Sequence, residues 1–246
     1  MNHKVSILST ASLDQALLDK ASGQGVELDT IPFINVEPVT DKDVLDEVNE
    51  FCSLPITAVF TSANAVRAIA DIILNAQPEW NVYCVGNTTR NAVLEYFDNA
   101  LISGIADDAA TLASIIKDHD VLEVVFFCGN KRMDLLPELL SLDDIAVHEV
   151  IVYHTTETPH VATKGYDAIL FFSPSGVNSF FSVNAIAERT VLFAIGNTTA
   201  NAVKQKTSNE VIVSETPSKE QLLADAIEYF HNLPRVAGPE NNKMTQ

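Results

Sequence analysis

The chain carries two pairs of matching segments at almost one spacing, and this restricts its architecture more than any other feature. Residues 59–66 read V-F-T-S-A-N-A-V and residues 170–177 read L-F-F-S-P-S-G-V. A second pair follows, V-G-N-T-T-R-N-A-V from Val85 and I-G-N-T-T-A-N-A-V from Ile195. The offset is 111 residues from Ser62 to Ser173 and 110 from Gly86 to Gly196. Two motifs repeated at nearly one period indicate two copies of one domain. Each motif sits where an apolar run stops and a helical pattern starts. Backbone N–H groups point outward there and favour anions.

Apolar runs rich in Val, Ile and Phe alternate with helical patterns, which indicates α/β construction. The runs predict strands at Val5–Ser9, Val26–Ile31, Ala58–Thr61, Val82–Val85, Ala100–Ser103, Val124–Cys128, Val147–Val152, Ala168–Phe172, Val191–Ile195 and Val211–Val213. Strands this apolar belong in parallel sheets covered on both faces. Helices are expected over Asn64–Leu74, Thr88–Phe97, Thr111–Lys117, Leu135–Leu140, Val177–Ser182, Thr198–Lys206 and Lys219–His231. The middle copy has five strands, whereas the last copy runs out after three. Its missing two are supplied by the N-terminus, where Ser6–Ser12 resembles Phe126–Arg132 and Thr30–Phe33 resembles Val150–Tyr153. The expected domains are therefore residues 38–152 and a discontinuous domain of 1–36 plus 154–246. The chain crosses between them twice, which suits a hinge. The polar tail 235–246, with Gly and Pro, is expected to be disordered.

Composition narrows the function. A net charge of −18 argues against nucleic acid and against an anionic membrane surface as partner. No apolar run approaches the ~20 residues of a membrane span, and the N-terminus lacks the apolar core of a signal peptide. Cys52, Cys84 and Cys128 are not in metal-ligand spacing and read as reduced, structural cysteines of a cytoplasmic protein. The six histidines show no ligand spacing beyond the regular His148, His154 and His160, which cross a strand and a loop, so no metal is expected.

The repeated edges carry the candidate chemistry. In the two G-N-T-T segments, Asn87, Thr88, Thr89 and Asn197, Thr198, Thr199 are N-cap residue types beside a glycine that permits close approach. A helix cap and nothing more is the competing reading. The hydroxyls of Thr61, Ser62, Ser173 and Ser175, with the adjoining Ala63, Asn64, Pro174 and Gly176, suit carboxylates, although Ser-Pro-Ser also makes an ordinary turn. Gly129, Asn130 and Lys131 end another strand, with Lys131-Arg132 the one basic pair at such an end. Neither a G-x-x-x-x-G-K-[S/T] phosphate loop nor a G-x-G-x-x-G dinucleotide turn is present, and without a G-x-S-x-G elbow a serine hydrolase is disfavoured. Tyr153 stands at the second domain crossing, where a phenol can donate a hydrogen bond or act as a weak acid.

The ordered set F-T-S-A-N-A-V, V-G-N-T-T, F-F-C-G-N-K-R, V-I-V-Y-H-T, F-F-S-P-S-G-V, A-I-G-N-T-T-A and S-E-T-P-S-K-E-Q-L resembles the uroporphyrinogen-III synthase family from about Val5 to Phe230. The resemblance implies two flavodoxin-like parallel-sheet α/β domains, an internal duplication joined by a two-stranded linker. It implies cyclisation of the linear tetrapyrrole hydroxymethylbilane to uroporphyrinogen III, with inversion of the last pyrrole ring and loss of water, and no metal or organic cofactor. The substrate would sit between the domains, held by backbone amides and hydroxyls at strand ends, and Tyr153 inherits the role of assisting hydroxyl departure. Helix N-termini hold carboxylates without a wall of Lys and Arg, which reconciles a polyanionic ligand with an acidic protein. Two departures stand out. Ser9-Thr10-Ala11 occupies a place where many members have Arg, and Ala63 one where Pro is common, while Pro174 is kept. A non-catalytic binder of a carboxylated small molecule would share the fold, and only turnover separates the two. A monomer is expected.

Overall fold

In the computed structural model, residues 4–74 and 76–232 are described; the expectation for the tail 235–246 lies outside them. The chain divides into two compact units, one of residues 1–33 and 159–246 and one of residues 34–158. In chain order, the first unit opens with β1 (Ser6–Ser9), α1 (Gln15–Gly23) and β2 (Glu27–Thr30). The second unit then runs β3 (Ile34–Pro38), α2 (Lys42–Cys52), β4 (Thr57–Phe60), α3 (Ala63–Ile73), β5 (Asn81–Val85), α4 (Asn87–Tyr96), β6 (Leu101–Ala106), α5 (Ala109–Asp118), β7 (Glu123–Gly129), α6 (Leu135–Leu142) and β8 (Ala146–Glu157). The first unit resumes with β9 (Ala168–Phe171), α7 (Pro174–Phe181), β10 (Val191–Ala194), α8 (Asn197–Lys204), β11 (Val211–Val213) and α9 (Lys219–Asn232).

The first unit is a five-stranded sheet ordered β11-β10-β9-β1-β2, parallel throughout. Numbered along the chain, this is the flavodoxin order 2-1-3-4-5. The second unit orders its strands β3-β8-β7-β4-β5-β6. Its five parallel strands reproduce the same arrangement if counting starts at β7, so one unit is a circular permutation of the other. β3 is additional. It pairs antiparallel with the end of β8, Ile34 opposite Glu157 and Pro38 opposite Tyr153.

Alternating side chains along these strands build one core on each face. In the second unit, Phe60, Val82, Phe127, Val150 and Val152 pack under α2, α3 and α4. Val59, Tyr83, Val124 and Phe126 pack on the other face under α5 and α6. In the first unit, Ile7, Leu170 and Phe193 meet α1 and α9, and Leu8, Ile169, Phe171 and Leu192 meet α7 and α8. Burial on both faces accounts for the continuous apolar runs.

Two differences from the sequence reading have local causes. β3, with the sequence Ile-Asn-Val-Glu-Pro, alternates apolar and polar residues over only five positions and ends in Pro, and it lies at a sheet edge with four of its five residues exposed, so no buried apolar run marks it. β8 continues five residues past Val152, because β3 supplies the pairing that a polar strand cannot obtain by burial.

Candidate functional site

In flavodoxin-like sheets, ligands bind beyond the carboxyl ends of the strands, where the strand order reverses direction. In the second unit that point lies between β4 and β7, and in the first between β9 and β1. The residues just past those strands are Thr61, Ser62 and Asn130 in one unit, and Phe172, Ser173 and Thr10 in the other.

In the second unit, Ser62 is the N-cap of α3, and its Oγ accepts from the Asn64 N–H at 3.2 Å. The same hydroxyl faces the Tyr153 phenol closely enough to favour its ionised form. Burial pushes the Tyr153 pKa above its ordinary value, and the Ser62 contact only partly offsets this. The phenol is therefore protonated at neutral pH. Its ring lies directly over Gly129: a Cβ there would meet Tyr153 Cζ at 2.4 Å and Oη at 2.8 Å. Only glycine leaves room for the ring at this strand end. The Asn130 N–H donates to the Tyr153 carbonyl at 3.2 Å. The Asn130 side chain is engaged with Thr155, accepting its N–H at 2.7 Å and donating to its carbonyl at 3.4 Å. Of the basic pair, Arg132 is held by Glu149 and Asp134, whereas Lys131 is half-exposed and 3.9 Å from Glu157.

In the first unit, Ser173 caps α7, with the Gly176 N–H donating to its Oγ at 3.1 Å, and Pro174 occupies the first turn. A Cβ at Gly176 would lie 3.3 Å from Ser173 Oγ and 3.8 Å from Thr10 Oγ1. Thr10, Ser173 and Gly176 thus converge at the reversal point. Ser175 is half-buried beside them. Thr10 has no neighbour in sequence that marks it; only the sheet order brings it here. Its hydroxyl donates to the Leu170 carbonyl at 2.8 Å, which fixes the β1 and β9 ends together. Phe33, aligned with Tyr153 by sequence, is fully buried and packs edge-on against Phe180, so the first unit offers no phenol in this role.

The G-N-T-T segments are capped differently from their residue types. Gly86 and Gly196, not the asparagines, are the N-caps of α4 and α8, and neither helix has a side-chain cap bond. Gly86 has φ +78°, which explains the glycine; Gly196 is extended. Asn87, Thr88, Asn197 and Thr198 lie in the first helical turn and are at least partly exposed, while Thr89 and Thr199 turn into the core at 4% and 3% exposure. Each motif is therefore divided between outward-facing residues and packing.

His148 and His160 have separate surroundings, the first bonded to Glu47 at 2.7 Å and the second packed edge-on against Phe33. A groove of about 670 Å³ on the first unit lies away from these strand ends, beside β11 and α9. Glu215, Asp225 and Glu228 line it, and three carboxylates make it a poor receptor for an anion.

Fold and strand ends together define the class: a duplicated flavodoxin-like α/β protein with hydroxyl and backbone donors at the reversal point of each sheet. The family model described as uroporphyrinogen-III synthase HemD matches residues 15–224, and the chain belongs to that family. Among solved structures, a mutant uroporphyrinogen III synthase of Thermus thermophilus is similar at 14% identity and TM-score 0.67, with 92% of this chain and 98% of that chain covered. The uroporphyrinogen-III synthetase of Helicobacter pylori is similar at 17% identity and TM-score 0.62, covering 92% and 99%. The wild-type Thermus thermophilus enzyme in a second crystal form gives 16% and 0.55, covering 92% and 98%. At such identities the structures speak for the fold. The family assigns the chain to tetrapyrrole biosynthesis as an enzyme.

Proposed function

We propose that the chain cyclises hydroxymethylbilane to uroporphyrinogen III, inverting the last pyrrole ring and releasing water, as a lyase. The observation that carries this reading, beside family membership, is the Tyr153 phenol held over Gly129 against Ser62. Ser62 Oγ accepts from Asn64 and keeps its own hydrogen, which in this reading is directed at the phenol oxygen. The phenolic proton is left to be donated outward. Donation to the hydroxyl of the bilane helps it leave as water, with the neighbouring pyrrole nitrogen supplying the electrons. The azafulvene so formed closes unaided to the symmetric isomer. The enzyme directs attack to the substituted carbon of the last ring, through a spiro intermediate, by holding the chain in position.

The substrate's carboxylates are assigned to the strand-end donors: the first turns of α4 and α8, the Thr61–Asn64 edge, the Ser173–Gly176 edge, and Lys131. Apart from the Lys131 ammonium these are local dipoles and hydroxyls, suited to an anion approaching a protein of charge −18. The reading includes a cytoplasmic monomer of 26.8 kDa, which sedimentation of the purified protein tests.

The experiment is to supply freshly generated hydroxymethylbilane and separate the oxidised products by isomer. Predominantly isomer III supports the enzyme; isomer I at the protein-free rate refutes it. Tyr153→Phe should lower the rate of isomer III formation while the fold is retained, and unchanged turnover removes Tyr153 from the mechanism.

A further inference from the structure

The β7–β8 ladder slips by one residue immediately before the candidate site. Cys128 pairs with Ile151, but Gly129 pairs with Tyr153. Val152 is thus an extra residue in β8, a bulge. Side chains alternate along a strand, and Val150 and Val152 both enter the core formed with Phe127. Regular continuation would turn Tyr153 to the opposite face, the one occupied by Cys128. Instead Tyr153 packs on the same core as Val152, and its ring covers Gly129. The bulge therefore decides which face the phenol occupies.

One residue closes that bulge. β7 ends at Gly129, so beyond it β8 has lost a neighbouring strand on that side. Asn130 takes the place of that strand. Its N–H bonds the Tyr153 carbonyl, and its side-chain amide bonds both the N–H and the carbonyl of Thr155. Tyr153 is thereby clamped from the residue itself and from two positions beyond. An amide is suited to this, because it offers an acceptor and a donor in one plane, as a peptide group does.

We propose that Asn130 is a positioning residue, whose side-chain amide holds the Val152–Tyr153 bulge and so aims the Tyr153 phenol at the substrate. This rests on the reading of Tyr153 given above. It assigns the Asn130 side chain to the scaffold and not to a carboxylate of the ligand.

The test separates the two claims. Tyrosines are labelled with carbon-13 at the ring Cζ, and the Tyr153 resonance is assigned by its loss in Tyr153→Phe. In Asn130→Ala the Tyr153 resonance should move while those of the other tyrosines stay, and kcat should fall between about 10- and 100-fold with KM little changed. Asn130→Asp keeps the acceptor for the Thr155 N–H and loses the donor, so it should fall between wild type and alanine in both readouts. If Asn130→Ala does not fold, Asn130→Asp decides by the same resonance. An unmoved Tyr153 resonance in a folded variant overturns the proposal, as does a raised KM at unchanged kcat. If Tyr153→Phe keeps full activity, the role of Tyr153 fails, and the resonance still reports whether Asn130 sets its place.

Discussion

Replacing Gly129 with alanine is the most direct perturbation of the site. The added Cβ would lie 2.4 Å from Tyr153 Cζ, 2.5 Å from Cε2 and 2.8 Å from Oη. Carbon atoms at rest are about 3.5–4.0 Å apart. The ring must therefore retreat by about 1 Å or more, and it cannot do so by swinging a flexible end, because the clash is with its own body. Overpacking of this kind costs about 1–3 kcal/mol. For a protein of this size each kcal/mol lowers the melting temperature by about 2–4 °C. A displacement near 1 Å at a reacting group costs on the order of 100-fold in rate. Gly129→Ala should thus melt several degrees early and form isomer III at about one per cent of the wild-type rate. Gly165→Ala is the matching control, since a Cβ there meets nothing within 4 Å. The stability loss caused by Gly129→Ala should disappear when it is measured in a Tyr153→Ala background, against Tyr153→Ala alone. Wild-type turnover by Gly129→Ala, or a double variant less stable than Tyr153→Ala alone by the full cost of Gly129→Ala, would refute the argument.

Ser62→Ala removes the cap of α3 and the donor facing Tyr153; it should cost about 1 kcal/mol in urea denaturation and raise the Tyr153 pKa further, seen in an ultraviolet tyrosine titration. Cys84 and Cys128 are buried, and burial pushes both thiols up to about 11, so iodoacetamide at pH 8 should label Cys52 first and the other two only on unfolding, as mass spectrometry would show. Trp80, the only tryptophan of the chain, is 1% exposed and stacks on Phe127; its fluorescence should report unfolding of the second unit, and Trp80→Ala should destabilise that unit by about 3–5 kcal/mol. Asp29 is held below its ordinary pKa chiefly by the Lys164 ammonium. A depressed folded pKa contributes stability above the unfolded value of about 3.9, lost as pH falls through the folded one. The urea midpoint of Asp29→Asn should therefore vary less than that of wild type as the pH is lowered from about 5 to 3.

The parts of the fold legible in the sequence were those whose strands are buried on both faces. β7, whose residues Val124–Gly129 are all buried, announces itself by composition alone. β3 does not, because a five-residue edge strand with exposed side chains and a closing Pro shows too short an alternation to stand out from a loop. The duplication told where each strand end falls, and so brought Ser62, Ser173 and the two G-N-T-T segments into view. It did not tell which glycine or asparagine caps the helix, since residue type at a helix start allows several registers. The aim of Tyr153 was invisible for another reason. It depends on a one-residue slip between two strands, and a slip leaves no mark in the residues that undergo it. Thr10 was hidden because its role comes from β1 lying beside β9, a pairing between residues far apart in sequence.

The split of the first unit sets an order of assembly during synthesis. β1 leaves the ribosome well before one of its two neighbours, β9, is made; Ser6 and Asp167, bonded to each other, are 161 positions apart. Residues 34–158 can fold as soon as they have emerged, since every strand of their sheet lies within them. Their first and last residues are drawn together as β3 and β8 pair, which turns a long loop into a short one and lowers the entropy cost of bringing β1 to β9. The inserted unit thereby acts as a staple for the unit that encloses it. Variants that slow the folding of residues 34–158 leave β1 waiting longer without β9, exposed to aggregation and proteolysis, even though the altered residue lies in the other unit.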